Sequence, residues 1–223
     1  IKVFEEEREL TVMLVIDVSG SLDFGTAGQL KRECVTEIAA TLAFSAIQNN
    51  DKIGVIFFSD HVEKYIPPKK GRKHILYLIR EMLTFTPNSK KTDVGVGLEY
   101  LNKVVKRRCT AFVISDFYTR KDFSQELRIT NRKHDVVAIQ VYDPRAKVMP
   151  DVGLLKVIDA ETGHEMYVDT HDIRVRKAHN TYWEEREQRL HDTLTQSHVD
   201  SVAIATNDDY VKMLITLFLK RRR

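Results

Sequence analysis

The chain has little cysteine: two residues in 223, Cys34 and Cys109, far apart and without the spacing of a metal-ligand pair. That argues against a disulfide framework and points to a reducing compartment. No apolar run approaches the roughly 20 residues needed to cross a bilayer. There is no Gly-x-x-x-x-Gly-Lys-Ser/Thr phosphate loop, so nucleotide hydrolysis would belong to a partner. Nor is there a Gly-x-Ser-x-Gly nucleophile elbow. The net charge of +3 is too small to demand nucleic acid or a membrane surface. No internal repeat or low-complexity stretch appears. The chain begins at Ile1 without an initiator Met, which makes a piece of a longer protein the expectation. A cytoplasmic location is expected, with any membrane association coming from residues or partners outside the chain.

What is present describes an ordinary globular protein, 43% hydrophobic and 30% charged, long enough for one sizeable α/β domain. Apolar runs of strand length alternate with helical periodicity, the signature of parallel βαβ units. "TVMLVID", "KIGVIFFS", "TAFVISDF", "DVVAIQVYD" and "VDSVAIAT" read as strands. "HVEKYIPP" reads as an edge strand, since Pro67 and Pro68 cannot donate to a ladder. Residues 29–48 read as a helix, as do "HILYLIREML", "VGLEYLNKVV", "FSQELRITNRKH" and the closing "DDYVKMLITLFLKRRR", which Asn207 would cap. "GLLKVIDAETGHEMYVDT" breaks the alternation and reads as a β-hairpin turning at Glu161-Thr162-Gly163. The expected organisation is a single domain over 1–223, with a lead-in at 1–10 and a hairpin insertion at about 152–170. Its fold class would be α/β, a doubly wound, Rossmann-like, mostly parallel sheet flanked by helices.

"DVSGS" carries the chemistry. In such a sheet, ligands bind beyond the carboxyl ends of strands where strand order reverses. Asp17 closes one strand and Asp116 another, so both project from the same edge. Ser19 and Ser21, at alternate positions, can turn their hydroxyls to that edge. The set is all oxygen, without sulfur or imidazole, and suits a hard divalent cation, Mg²⁺ before Mn²⁺ or Ca²⁺. Mg²⁺ takes about six oxygens, which leaves room for water and a partner's carboxylate. The competing account is a turn in which Asp17 merely caps backbone amides.

"DVSGS" resembles the Asp-x-Ser-x-Ser signature of von Willebrand factor A domains, whose metal-ion-dependent adhesion site holds a divalent cation. The resemblance implies a Thr from a later loop and an Asp after a later strand, matched here by Thr92 in "KKTDVGVGLEYL" and Asp116 in "VISDF". Thr84 and Thr86 lie nearby, but Gly95 and Gly97 follow Thr92 into the helix as in the family loop. It further implies direct coordination by Ser19, Ser21 and Thr92, with Asp17 and Asp116 acting partly through waters. "FEEERELTVMLVIDVSGSLDFGT", Pro68 to Gly71, "GLLKVIDAETG" and "TNDDYVKMLITLFLKRR" resemble a bacterial subgroup of uncharacterised A-domain proteins, encoded beside MoxR-type AAA+ ATPases. Members of that subgroup carry an N-terminal segment ahead of this region. Leu22 stands where A domains often have Met, a change between apolar residues. The function this implies is metal-dependent protein binding, without catalysis, as adaptor or co-chaperone for such an ATPase.

Two other classes compete. Asp17 could be the phosphoryl-accepting nucleophile of a Mg²⁺-dependent hydrolase, but the second Asp expected two positions on is Ser19. Lys69 to His74 and Lys220 to Arg223 are basic enough to suggest nucleic acid, yet lack interleaved aromatic residues. A solvated face or a helix-terminal charge accounts for them more simply, so no nucleic acid is expected. The pairs His171 and His179, and His191 and His198, are not spaced as zinc ligands on one helical turn. Cys34 reads as a packed, inert thiol, Trp183 as core packing, and Glu5 to Glu9 as a solvated lead-in.

Overall fold

Strand β1 (Thr11–Asp17) alternates between two cores. Val12, Leu14 and Ile16 face one, while Met13 and Val15 face the other. A strand apolar on both faces must have helices on both sides. The computed structural model, which describes residues 9–26 and 28–221, supplies them. β1 lies between β2 (Lys52–Phe58) and β4 (Thr110–Ser115), both parallel to it. Beyond β4 come β5 (Asp135–Tyr142) and β8 (Asp200–Ala205), also parallel. The other edge is β3 (Val62–Lys69), antiparallel to β2, and Pro67 and Pro68 sit in this edge strand, as the sequence suggests, where its register with β2 shifts.

Helices α1 (Lys31–Gln48), α2 (Arg72–Thr84) and α7 (Tyr210–Arg221) cover one face through Ile38, Leu78 and Leu217. On the other face, α3 (Val94–Val104), α4 (Ser124–Lys133) and α6 (Ile173–Gln196) contribute Leu98, Leu127 and Leu194. The fold is therefore the expected α/β sheet, mostly parallel and flanked by helices on both sides. The hairpin is also present: β6 (Leu154–Ile158) pairs with β7 (Glu165–Asp169) as a separate two-stranded sheet. Its turn forms because the Asp159 carboxylate accepts the amides of Glu161 and Thr162, while Gly163 takes a φ of +70°.

One local expectation needs correction. Asn207 does not cap the last helix; the Asp209 carboxylate accepts the Lys212 amide at 3.1 Å, and α7 begins at Tyr210. Asp208 instead accepts the Ala205 amide, so the chain makes one more turn before the helix starts. A short helix α5 (Pro144–Lys147) follows β5, capped by Asp143 with Pro at its first position. Residues 1–8 of the expected lead-in, and Arg222 and Arg223 of the basic terminus, lie outside the described residues.

Candidate functional site

Strand order reverses between β1 and β4, since the chain leaves β1 toward β2 on one side and returns to β4 on the other. Asp17 ends β1, and Asp116 follows directly on β4. Both are buried, at 1% and 3% exposure, which is unusual for carboxylates and demands partners. Asp17 Oδ1 accepts the Ser19 amide at 2.8 Å, and Oδ2 accepts the Ser115 hydroxyl at 2.5 Å. The amide-capping role is thus real, and it orients the carboxylate rather than replacing any other role. A 3₁₀ turn at Gly20–Asp23 brings Ser19 Oγ and Ser21 Oγ within 3.0 Å of each other.

Thr92 reaches this edge on the loop before α3. The Gly20 amide donates to the Lys90 carbonyl at 2.9 Å, and Thr119 Oγ1 donates to the Thr92 carbonyl at 3.2 Å. Its own hydroxyl is buried with no hydrogen-bond partner among the described residues. Thr84, by contrast, donates within α2 to the Arg80 carbonyl. Four of the five candidate residues, Asp17, Ser19, Ser21 and Asp116, gather around the two strand ends, and Thr92 adjoins them from its tethered loop.

Two residues that the sequence reading missed complete the site. Lys31, itself buried, places its ammonium 2.6 Å from Asp116 Oδ2. Ser115 links Asp17 to the next loop, because its hydroxyl also accepts the Phe117 amide at 2.8 Å. Lys31 was legible in principle. It opens α1 on the same stripe as Val35, Ile38 and Leu42, where an ammonium must find a buried partner.

Burial, and then the charge of Asp116, push the Asp17 carboxyl above the usual range. Burial would do the same to Asp116, but Lys31, the Tyr118 amide and the Arg186 charge together outweigh it and hold that carboxyl below the ordinary value. Two carboxylates with one ammonium leave a charge deficit of one. An all-oxygen donor set of this kind, with one orphaned hydroxyl, fits a hard divalent cation.

The hairpin tip closes over the loop. A Cβ added at Gly20 would stand 2.7 Å from the Ala160 carbonyl oxygen and 2.9 Å from Lys90 Cβ. Glycine is therefore required in "DVSGS" by close approach.

No three His, Cys, Asp or Glu side chains gather as a metal cluster anywhere among the described residues, the candidate site included. His171 pairs with Asp151 at 2.6 Å, and His179 Nε2 donates to the Ala146 carbonyl. Cys34 is buried, with its thiol pushed up to about 12 by burial. Of the basic stretches, Lys70 pairs with Glu9, and Arg221 bridges Asp135 and Asp200. Among the described residues, no helix is long and apolar enough to cross a membrane.

Comparison with known proteins finds a family match for the chain. Residues 1–189 match the family described as "Protein of unknown function DUF58". An uncharacterized protein of Mycobacterium tuberculosis (Rv1480) is 35% identical over 159 residues, covering 70% of this chain and 50% of its own. One from Mycobacterium avium is 33% identical over 100 residues, covering 44% and 59%. The chain thus spans about half the length of the Mycobacterium tuberculosis relative. Among solved structures, BatB from Bacteroides thetaiotaomicron superposes with a TM-score of 0.63 at 14% identity, covering 95% of this chain and 98% of that one. An aerotolerance-related membrane protein from Bacteroides fragilis gives 0.65 at 14% identity, covering 95% and 99%. The SpRpn10 VWA domain gives 0.49 at 12%, covering 96% and 95%. At such identities the likeness to the two Bacteroides structures concerns fold alone.

Proposed function

This chain belongs to the DUF58 family, and we propose that it is a divalent-metal-dependent protein-interaction domain of the von Willebrand factor A kind. Asp17, Ser19, Ser21, Thr92 and Asp116 would hold the ion, Mg²⁺ ahead of Mn²⁺ or Ca²⁺. Such an ion supplies an electrophilic position for a carboxylate oxygen from a partner's Asp or Glu. One observation carries the reading: a charge-deficient pair of buried carboxylates at the sheet's switch point, beside an orphaned Thr92 hydroxyl. Ser115 and the Ser19 amide fix the Asp17 carboxylate, while Lys31 balances Asp116.

The role beside a MoxR-type AAA+ ATPase, as adaptor or co-chaperone, extends from the family resemblance. It agrees with a chain that has no phosphate loop of its own. Two buried, free thiols suit a reducing, cytoplasmic setting. The phosphoryl-transfer alternative would make Asp17 a nucleophile. Both its oxygens are engaged and it is shut from solvent, so binding without catalysis fits better.

Calorimetric titration of Mg²⁺, Mn²⁺ and Ca²⁺ into the EDTA-treated chain tests the reading, with Asp17→Ala as control. Saturable binding lost in the variant is the expected result. Absence of binding by the unaltered chain, with no thermal stabilisation by any of the three ions, would overturn it.

A further inference from the structure

Directly beyond Asp116 the chain does something costly. Phe117 adopts a φ of +53°, a left-handed conformation that non-glycine residues rarely take. The turn buries the Phe117 ring against Phe123 and sends Tyr118 outward toward α6. Between this loop and α6 lies a half-open cleft of about 450 Å³, within the size range of ligand sites. Trp183 lies beside this cleft, behind Tyr118 and Arg186, and not in the core. It is half-buried in a surface cluster with Tyr118, His179 and Tyr182.

Arg186 is the cleft's central charge. Its guanidinium stacks over Tyr118 at 4.7 Å and Trp183 at 4.8 Å, and donates to the Asp116 carbonyl at 2.8 Å. Among the described residues no carboxylate lies within ion-pairing distance of it. A cation held rigid between two rings, and left unpaired, is pre-organised for an incoming anion. Around it lie Arg120, Lys121 and Arg189 together with Asp122 and Asp192, and Arg120 makes only a long, exposed contact with Asp159 at 3.9 Å. Lys121 is neutralised by Asp93, whereas the Arg189 pair with Glu185 is a loose, exposed contact at 3.6 Å. Tyr, Trp and Arg are also the residue types that dominate protein-binding hot spots.

We propose that this cleft recognises an acidic peptide segment, whose carboxylates pair with Arg186 and Arg189 while its neighbouring residues lie on the Tyr118–Trp183 cluster. The site adjoins the metal-ligand set, since Arg186 donates to the Asp116 carbonyl and the Tyr118 amide to Asp116 Oδ1, but it does not rest on that set. None of its side chains belongs to the oxygen cluster, and a peptide carboxylate needs no ion to pair with a guanidinium. A protein partner is favoured over a nucleic acid because each ring already gives one face to Arg186, so no run of free aromatic faces is left on which successive bases could stack.

The test uses the full chain, a fluorescein-labelled Glu/Asp-rich decapeptide and its Gln/Asn counterpart. Trp183, the single tryptophan, provides an intrinsic signal. The acidic peptide is expected to bind saturably, shift Trp183 emission and weaken with salt, equally in EDTA and in Mg²⁺. Arg186→Gln should lower affinity at least about tenfold, and the exposed Arg189→Glu several-fold without threatening the fold. Equal binding of the neutral peptide would overturn the proposal. So would displacement by inorganic phosphate or a single-stranded oligonucleotide that binds more tightly than the peptide. Binding that needs Mg²⁺, disappears in Asp17→Ala and survives both arginine substitutions would assign acidic groups to the metal site alone, ending this proposal and leaving the proposed function standing. Arginine-dependent binding in a chain that takes up no metal would do the reverse.

Discussion

The two ends of the central sheet both bury titratable groups, and they handle them in opposite ways. At the amino end of β4 and β5, Cys109 Sγ lies 3.3 Å from His134 Nδ1, and both side chains are buried. Burial has neutralised them: the thiol is pushed up to about 12 and the imidazole down to about 4. At the carboxyl end, Asp116 keeps its charge because Lys31 is buried with it, while Asp17 is left short of a counter-ion. The interior can silence a titratable group cheaply. Charge retained underneath a loop of hydroxyls is the arrangement that the proposed function asks for.

Removing Lys31 is the largest expected disturbance of that contrast. Lys31→Met leaves two buried carboxylates facing each other, and should destabilise the metal-free chain by about 3–5 kcal/mol. Under the proposed function, Mg²⁺ should restore most of that loss and bind about tenfold tighter, since no ammonium competes for Asp116. Paired thermal melts with and without Mg²⁺ check this. A loss that Mg²⁺ does not repair would mean that the ammonium is structural only.

Asp17→Asn should act the other way. It removes the charge that burial penalises, so the metal-free chain gains stability near pH 8, while Mg²⁺ affinity falls about 100-fold or more. The sign follows from the raised Asp17 carboxyl. A group of this kind contributes stability below its unfolded value and loses it as pH rises through the folded one. The difference between parent and variant should therefore widen from pH 4 upward. Chemical denaturation across pH in EDTA measures it, and a constant difference would show that Asp17 is ionised without penalty.

At the silent end of the sheet the sign reverses. His134 is held neutral, down from 6.5 to about 4, so its stabilising contribution is complete above pH 6.5 and drains away as pH falls toward 4. The loss should approach about 3 kcal/mol. His134→Gln should flatten that acid limb without touching metal affinity, and urea midpoints at pH 7.5 and 4.5 suffice to see it.

Most of the sheet was legible because its strands are apolar runs broken at polar turns, and "DVSGS" and "VISDF" placed both carboxylates on one edge. The partners that complete the site were not, even where, as with Lys31, the need for a buried partner was. Lys31 lies 85 residues from Asp116 in sequence, and its pairing depends on how α1 docks across the strand order. Arg186 lies 70 residues from Asp116, on a helix whose pattern suggested a buried Trp183 rather than a surface cluster. Nor does local sequence reveal the hairpin tip resting on Gly20, because a turn motif specifies its own shape but not what it touches.

That last contact gives the smallest predicted effect, and the one that most sharpens the picture of a covered site. Gly20 and Gly163 belong to the two segments that meet there, the loop and the hairpin turn. In Gly20→Ala the new methyl meets the Ala160 backbone oxygen at 2.7 Å, so the hairpin must shift. The expected cost is about 1–3 kcal/mol, together with altered metal affinity because the Ser19–Ser21 turn moves too. In Gly163→Ala the methyl meets nothing within 4 Å, and only the φ of +70° is strained. About 1 kcal/mol should be lost there, with metal affinity unchanged. If both variants leave metal affinity alone, the hairpin merely rests beside the loop. If only Gly20→Ala changes it, the hairpin tip helps to hold the oxygen set in place.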